Sequence, residues 1–112
     1  MTIEEIIDAQ MLAFNNKDIK SMMPLYTEDT KIYNFQDHTA IIDGKKDCEN
    51  MFITLFEQSP ELNAEVIKTI FFDNKAIVHE YVYGRNGSNE KKEQVVIFEI
   101  KNQKISRMDL IK

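Results

Sequence analysis

The sequence predicts an α+β fold, with three N-terminal helices packed on one face of a strongly curved, mainly antiparallel sheet. Three observations carry that prediction. Apolar residues recur at helical spacing as far as Gln58. From Leu62 onward the pattern changes to alternation in four long stretches, 62–72, 75–84, 93–101 and 104–111. Between them lie "DN", "RNGSNEKK" and "NQ", short polar links that make sequential strands antiparallel neighbours.

Each element has a local cause. Thr2 and Glu5 form a capping box, after which Ile3, Ile6, Ile7, Met11 and Phe14 share a helical face with Gln10. Gln10 is the only polar residue on that stripe. "NNKD" stops this helix, and Asp18 can cap a shorter one through Ile19, Met22 and Met23. Pro24 lacks an N–H and should bend or end it. "TKIYNF", residues 30–35, alternates as a strand, and "QDHTAIIDG" follows as an irregular loop or short hairpin. Gly44 leads into a third helix, where Cys48, Met51, Phe52, Leu55 and Phe56 keep the i, i+3, i+4, i+7, i+8 pattern until "QSPE" breaks it.

The 112 residues make one domain, 1–112, with a core and room for a modest cavity. Fourteen basic against nineteen acidic residues leave a net charge of −5, which repels phosphate backbones and anionic lipid, so neither nucleic acid nor membrane is expected as a partner. Cys48 is alone, so no intrachain disulfide can form, and its place on an apolar stripe reads as a buried, inert thiol. The N-terminus carries acids where a signal peptide would carry lysines, and no apolar run reaches membrane-spanning length. A cytoplasmic protein is expected. HExxH, paired-cysteine metal spacing, glycine-rich phosphate loops and serine-nucleophile motifs are all missing, so neither cofactor nor metal is anticipated.

"AIVHEY", residues 76–81, sets a base beside an acid, but strand geometry sends His79 and Glu80 to opposite faces. Glu80 falls with Ala76, Val78 and Val82, and His79 with Ile77, Tyr81 and Tyr83. On the preceding strand Leu62, Ala64, Val66, Ile70 and Phe72 share a face with Lys68. A turn centred on Asn74 would set Lys68 opposite Glu80 as a buried ion pair. The other face, with Ile67, Phe71, Ile77, Tyr81, Tyr83, Val95 and Ile97, is apolar enough to predict a homodimer through the sheet, with His79 at or near the interface.

"AFNNKDIKSMMPLYTEDTKIYNF", "DGKKDCENMFITLFEQSPELNAEV", "KAIVHEYVYG" and "VIFEIKNQKISRMDLI" together resemble a SnoaL-like domain of the nuclear transport factor 2-like and ketosteroid isomerase-like superfamily. The resemblance covers nearly the whole chain and implies a cystatin-like cone with an internal pocket between the helices and the sheet. Onto that pocket the face assignments project Gln10, Lys68 and Glu80, with Tyr33 or Asn34 near the mouth and Phe52, Phe56 and Phe98 as apolar wall. Asp37 and His38 lie in a loop expected to border the entrance, and Arg107 and Asp109 could join the polar cluster or the dimer contact. Ketosteroid isomerases use a helix tyrosine and two strand aspartates. Gln10, Asn34 and about Val96 stand at the matching positions, so that mechanism is not implied. Two functions follow. One is a dimeric binding module for an apolar metabolite. The alternative is an isomerase- or dehydratase-type enzyme acting on a small carbonyl-bearing substrate, with Glu80 as acid or base and Lys68 tuning it.

Overall fold

The Thr2–Glu5 capping box forms in both directions: the Thr2 hydroxyl accepts from the Glu5 N–H, and the Glu5 carboxylate accepts from the Thr2 N–H. It starts α1 (Ile3–Asn15) in the computed structural model, which describes residues 1–112. Asp18 caps α2 (Ile19–Met22), and Pro24 sits in the 3₁₀ turn Met23–Leu25 that ends it. Then come β1 (Tyr26–Asn34), β2 (Ile42–Asp43), α3 (Lys45–Gln58), β3 (Asn63–Phe72), β4 (Lys75–Tyr83), the 3₁₀ turn Arg85–Gly87, β5 (Lys91–Lys101) and β6 (Lys104–Ile111).

The six strands lie in the order β2-β1-β6-β5-β4-β3. β3 through β6 form the antiparallel meander that the short links require, and β6 closes alongside β1 in parallel, so the sheet is mixed and open at both edges. The helices cover one face, where apolar residues including Ile6, Phe14, Phe52, Val78 and Phe98 form the core. β1 begins four residues before the alternating "TKIYNF" because its register against β6 shifts between Tyr26 and Lys31, and that irregularity hides the period of two. No helix is long and apolar enough to cross a membrane.

The β3–β4 hairpin departs from the expected register in two ways. Phe72 pairs with Lys75 across the two-residue turn Asp73-Asn74, with Asp73 at φ 55°, so the turn is centred between those residues and not on Asn74. A bulge then leaves Ile67 unpaired between Val66↔Glu80 and Lys68↔His79. Val66 and Ala64 therefore face the helices, as expected. Lys68, Ile70 and Phe72 turn to the outer face, and Phe71, opposite Ala76, turns away from it. The expected Lys68–Glu80 ion pair does not form: counted from the turn at Asp73-Asn74, Lys68 falls opposite His79, and the bulge at Ile67 then returns Val66 and Ala64 to the helix-facing side.

Side chains fasten the sheet edge to the helices. Asn15, at the end of α1, takes both polar groups of Ala64 on edge strand β3, donating to its carbonyl at 3.0 Å and accepting from its N–H at 2.7 Å. Gly84 ends β4 at φ 78°, and a Cβ there would stand 2.4 Å from the Glu61 carbonyl oxygen. The same turn is held to the end of α3 by the Asn86 N–H, which donates to the Ser59 hydroxyl at 2.8 Å. Gly84→Ala should combine an unfavourable φ with a backbone clash and cost about 3 kcal/mol. Thermal unfolding should show a Tm lower by roughly 10 °C or more, whereas Gly87→Ala, with open space around it, should lose much less.

Candidate functional site

β4 alternates strictly between buried and half-buried positions, which aims Ala76, Val78, Glu80 and Val82 at the helices. Glu80 is only 5% exposed. Directly opposite on β5 is Gln94, whose Nε2 donates to Glu80 Oε2 at 2.6 Å. Burial pushes the Glu80 carboxyl above its ordinary 4.5, and the Gln94 hydrogen bond and the Arg85 charge pull it back only in part. No cation forms an ion pair with it.

The pair opens onto a cavity of about 620 Å³ between the helices and the sheet, within the usual range for small-molecule sites. Its wall is largely apolar, with Phe14, Met51, Phe52, Leu55, Val96 and Phe98 among its lining. Gln10 also lines it, and its Oε1 accepts a hydrogen bond at 2.8 Å from the hydroxyl of Tyr26, a fully buried residue. That bond satisfies a polar group that would otherwise be stranded in the core. Arg85 and Lys112 add two positive charges to the lining. No three metal-ligating side chains converge anywhere in the chain.

Of the site residues expected from sequence, Glu80, Gln10, Phe52 and Phe98 line this cavity. Phe56 does not; it packs in the core against Phe14 and Phe52, with ring centroids 5.7 Å and 5.8 Å away. Tyr33, Asn34 and Lys68 are also absent from the lining. Tyr33 is paired with Asp109 on the outer face, where the Arg107 guanidinium lies 3.9 Å from its ring centre, and Asn34 is exposed at the end of β1. Lys68 lies on the outer side, opposite His79. Asp37 and His38 do not border the entrance. They flank a separate outer groove with Lys75, Glu99, Arg107 and Asp109. Arg107 and Asp109 form a two-pronged ion pair there, at 2.9 and 3.1 Å. His79 is on the same outer side, paired with the Glu93 carboxylate.

Gln94, Arg85, Lys112 and Tyr26 escaped the sequence reading. Gln94 carried the same signal as Gln10, a neutral polar side chain in step with Val96, Phe98 and Ile100. Arg85 stands in a loop, where no periodicity reveals direction, and Tyr26 precedes the regular part of β1.

Because the folded protein holds the Glu80 proton more tightly than the unfolded chain does, its contribution to stability is complete below about pH 4.5 and is lost as the pH rises through the raised folded value. Glu80→Gln keeps an acceptor for Gln94 and removes the charge. The variant should melt at a higher temperature than the parent near neutral pH, and the gap should close as the buffer is taken to about pH 4. A parallel pH profile for the two proteins would contradict the assignment.

Comparison with known proteins agrees with this fold. No curated protein matches the chain. Among solved structures, an uncharacterised cystatin-fold protein from Novosphingobium aromaticivorans superposes with a TM-score of 0.91 at 21% identity, over 100% of this chain and 99% of that one. A proposed polyketide cyclase from Sinorhizobium meliloti gives 0.81 at 16% identity, over 98% of this chain and 99% of that one. A protein of ketosteroid isomerase-like fold from Catenulispora acidiphila, in complex with trimethylamine, gives 0.79 at 10% identity, over 99% of this chain and 87% of that one. At such identities the likeness is one of fold. The model of the SnoaL-like domain matches residues 7–108, and the chain belongs to the SnoaL-like domain family.

Proposed function

We propose that this chain is a small-molecule-binding module, working as a homodimer in the cytoplasm, whose cavity takes an apolar metabolite. The observation that carries the reading is an open, mostly apolar cavity with a single buried carboxyl, Glu80, on its wall. Apolar lining supplies affinity and a few fixed polar groups supply orientation. The acidic balance of the chain disfavours nucleic acid or anionic membrane as a partner.

One observation favours a second reading, a proton-transfer enzyme of the isomerase or dehydratase type. Lys68 is not beside Glu80, and burial keeps the Glu80 proton bound at higher pH than a free carboxyl would. A carboxyl so placed can give or take a proton at a carbonyl-bearing ligand.

The dimer contact would use the outer face of the sheet. Ile70, Ile77 and Ile97 pair in one row there, with Val95 and Ile111 in the next. Phe72 is 72% exposed on the same side. Apolar patches of this kind mark interfaces.

Native mass spectrometry of the purified chain and a thermal-shift screen of metabolites test the pocket. A ligand should raise Tm by several degrees, in line with roughly 3 kcal/mol at saturation well above Kd. Thr54→Trp, at an exposed position of the lining, should abolish the shift without unfolding the protein. Glu80→Gln separates the two readings: a binding module keeps the ligand intact with altered affinity, and an enzyme loses turnover of it. Light scattering should give a dimer that Ile77→Asp converts to a monomer, and a monomeric parent protein would refute the sheet contact.

A further inference from the structure

The cavity holds a second feature beside the Glu80–Gln94 pair. Gln94 lies opposite Glu80, and the β5–β6 register, with Val95 opposite Ile111, brings Lys112 next to Gln94 on the same face. Arg85 reaches the same lining from the turn that Gly84 and the Asn86–Ser59 hydrogen bond hold in place. Neither Arg85 nor Lys112 makes an ion pair with any carboxylate. In a chain of net charge −5, two cations outside any ion pair thus face one cavity, where Arg85 acts on the buried Glu80 carboxyl and on Lys112. Partial burial, and after it repulsion by Arg85, lower the Lys112 ammonium's affinity for its proton. The other carboxylate of the lining, Asp47, accepts from the Asp43 N–H at 3.2 Å near the start of α3.

We infer that the ligand of this cavity is an apolar acid, whose anionic head sits between Arg85 and Lys112 and whose body lies on Phe14, Phe52 and Phe98. The inference rests on the small-molecule reading above and adds the chemistry of the ligand. An anion between the two cations relieves their repulsion and supplies the missing partner. The Glu80 carboxyl, when neutral, offers its proton to the same head while Gln94 occupies its other oxygen. A neutral ligand would leave both cations as they are.

Calorimetric titration of the full chain with two matched probe pairs tests this: decanoate with decanol, and naphthoate with naphthalenemethanol. Each carboxylate should bind about tenfold more tightly than its neutral counterpart. That margin should shrink as salt is raised. The double variant Arg85→Gln, Lys112→Gln should erase it, so that each carboxylate binds no better than its neutral counterpart. Both substitutions are in a turn or at the end of a strand, so folding should not suffer, and the salt dependence of the parent protein gives a readout that needs no variant. Equal affinity within each pair, with binding blocked by Thr54→Trp, would overturn the anionic head and leave the pocket reading standing. Failure of all four probes to bind would overturn both.

Discussion

The period-two alternation of β4 is the constraint on which the rest of the site depends. It buries Glu80 among Ala76, Val78 and Val82, and it sends His79 to the opposite side. A carboxyl so buried needs a donor or must give up its charge. Both responses are present: Gln94 donates to one oxygen, and burial favours the protonated form. The register that brings Gln94 to Glu80 also fixes which residues of β5 and β6 wall the cavity, including Val96, Phe98 and Leu110.

Most of the architecture was legible in the sequence. The capping box at Thr2, the apolar stripe of α3 and the four long strands are local signals, and local signals survive packing. The burial of Glu80 was legible for the same reason. What failed was the partner. Counting back across a turn centred on Asn74 sets Lys68 opposite Glu80, but the turn is centred between Asp73 and Asn74, which sets Lys68 opposite His79, and the face shared with Ala64 and Val66 is lost at a bulge. A single unpaired residue at Ile67 is invisible in composition and periodicity, yet it inverts every residue beyond it. The same inversion exchanged Phe71 for Ile70 and Phe72 on the outer face.

The polar lining shows the other limit. Gln10 was found because it interrupts a helical stripe, and Gln94 could have been found by the same rule. Tyr26, Arg85 and Lys112 could not. Tyr26 reaches Gln10 from an irregular part of β1, and the two cations reach the cavity from a turn and a strand end. Face assignments projected onto the family's pocket set Tyr33 or Asn34 near the mouth, but β1 turns Tyr33 outward to stack beneath Arg107. Family likeness transfers an architecture more faithfully than it transfers the direction of one side chain.

Edge strand β3 gives Lys68 a different significance from the one its sequence suggested. Only the N-terminal part of that edge is occupied, by Asn15 at Ala64. Beyond it Val66, Ile67, Ile70, Phe71 and Phe72 are all exposed, on a strand with no neighbour on its outer side. Such a strand is a template for aggregation, and an inserted charge together with a bulge is how proteins spoil the template. Lys68 adjoins the bulge in the middle of this run. Placed there, the lysine sets a charge against strand-to-strand stacking of one molecule on the next.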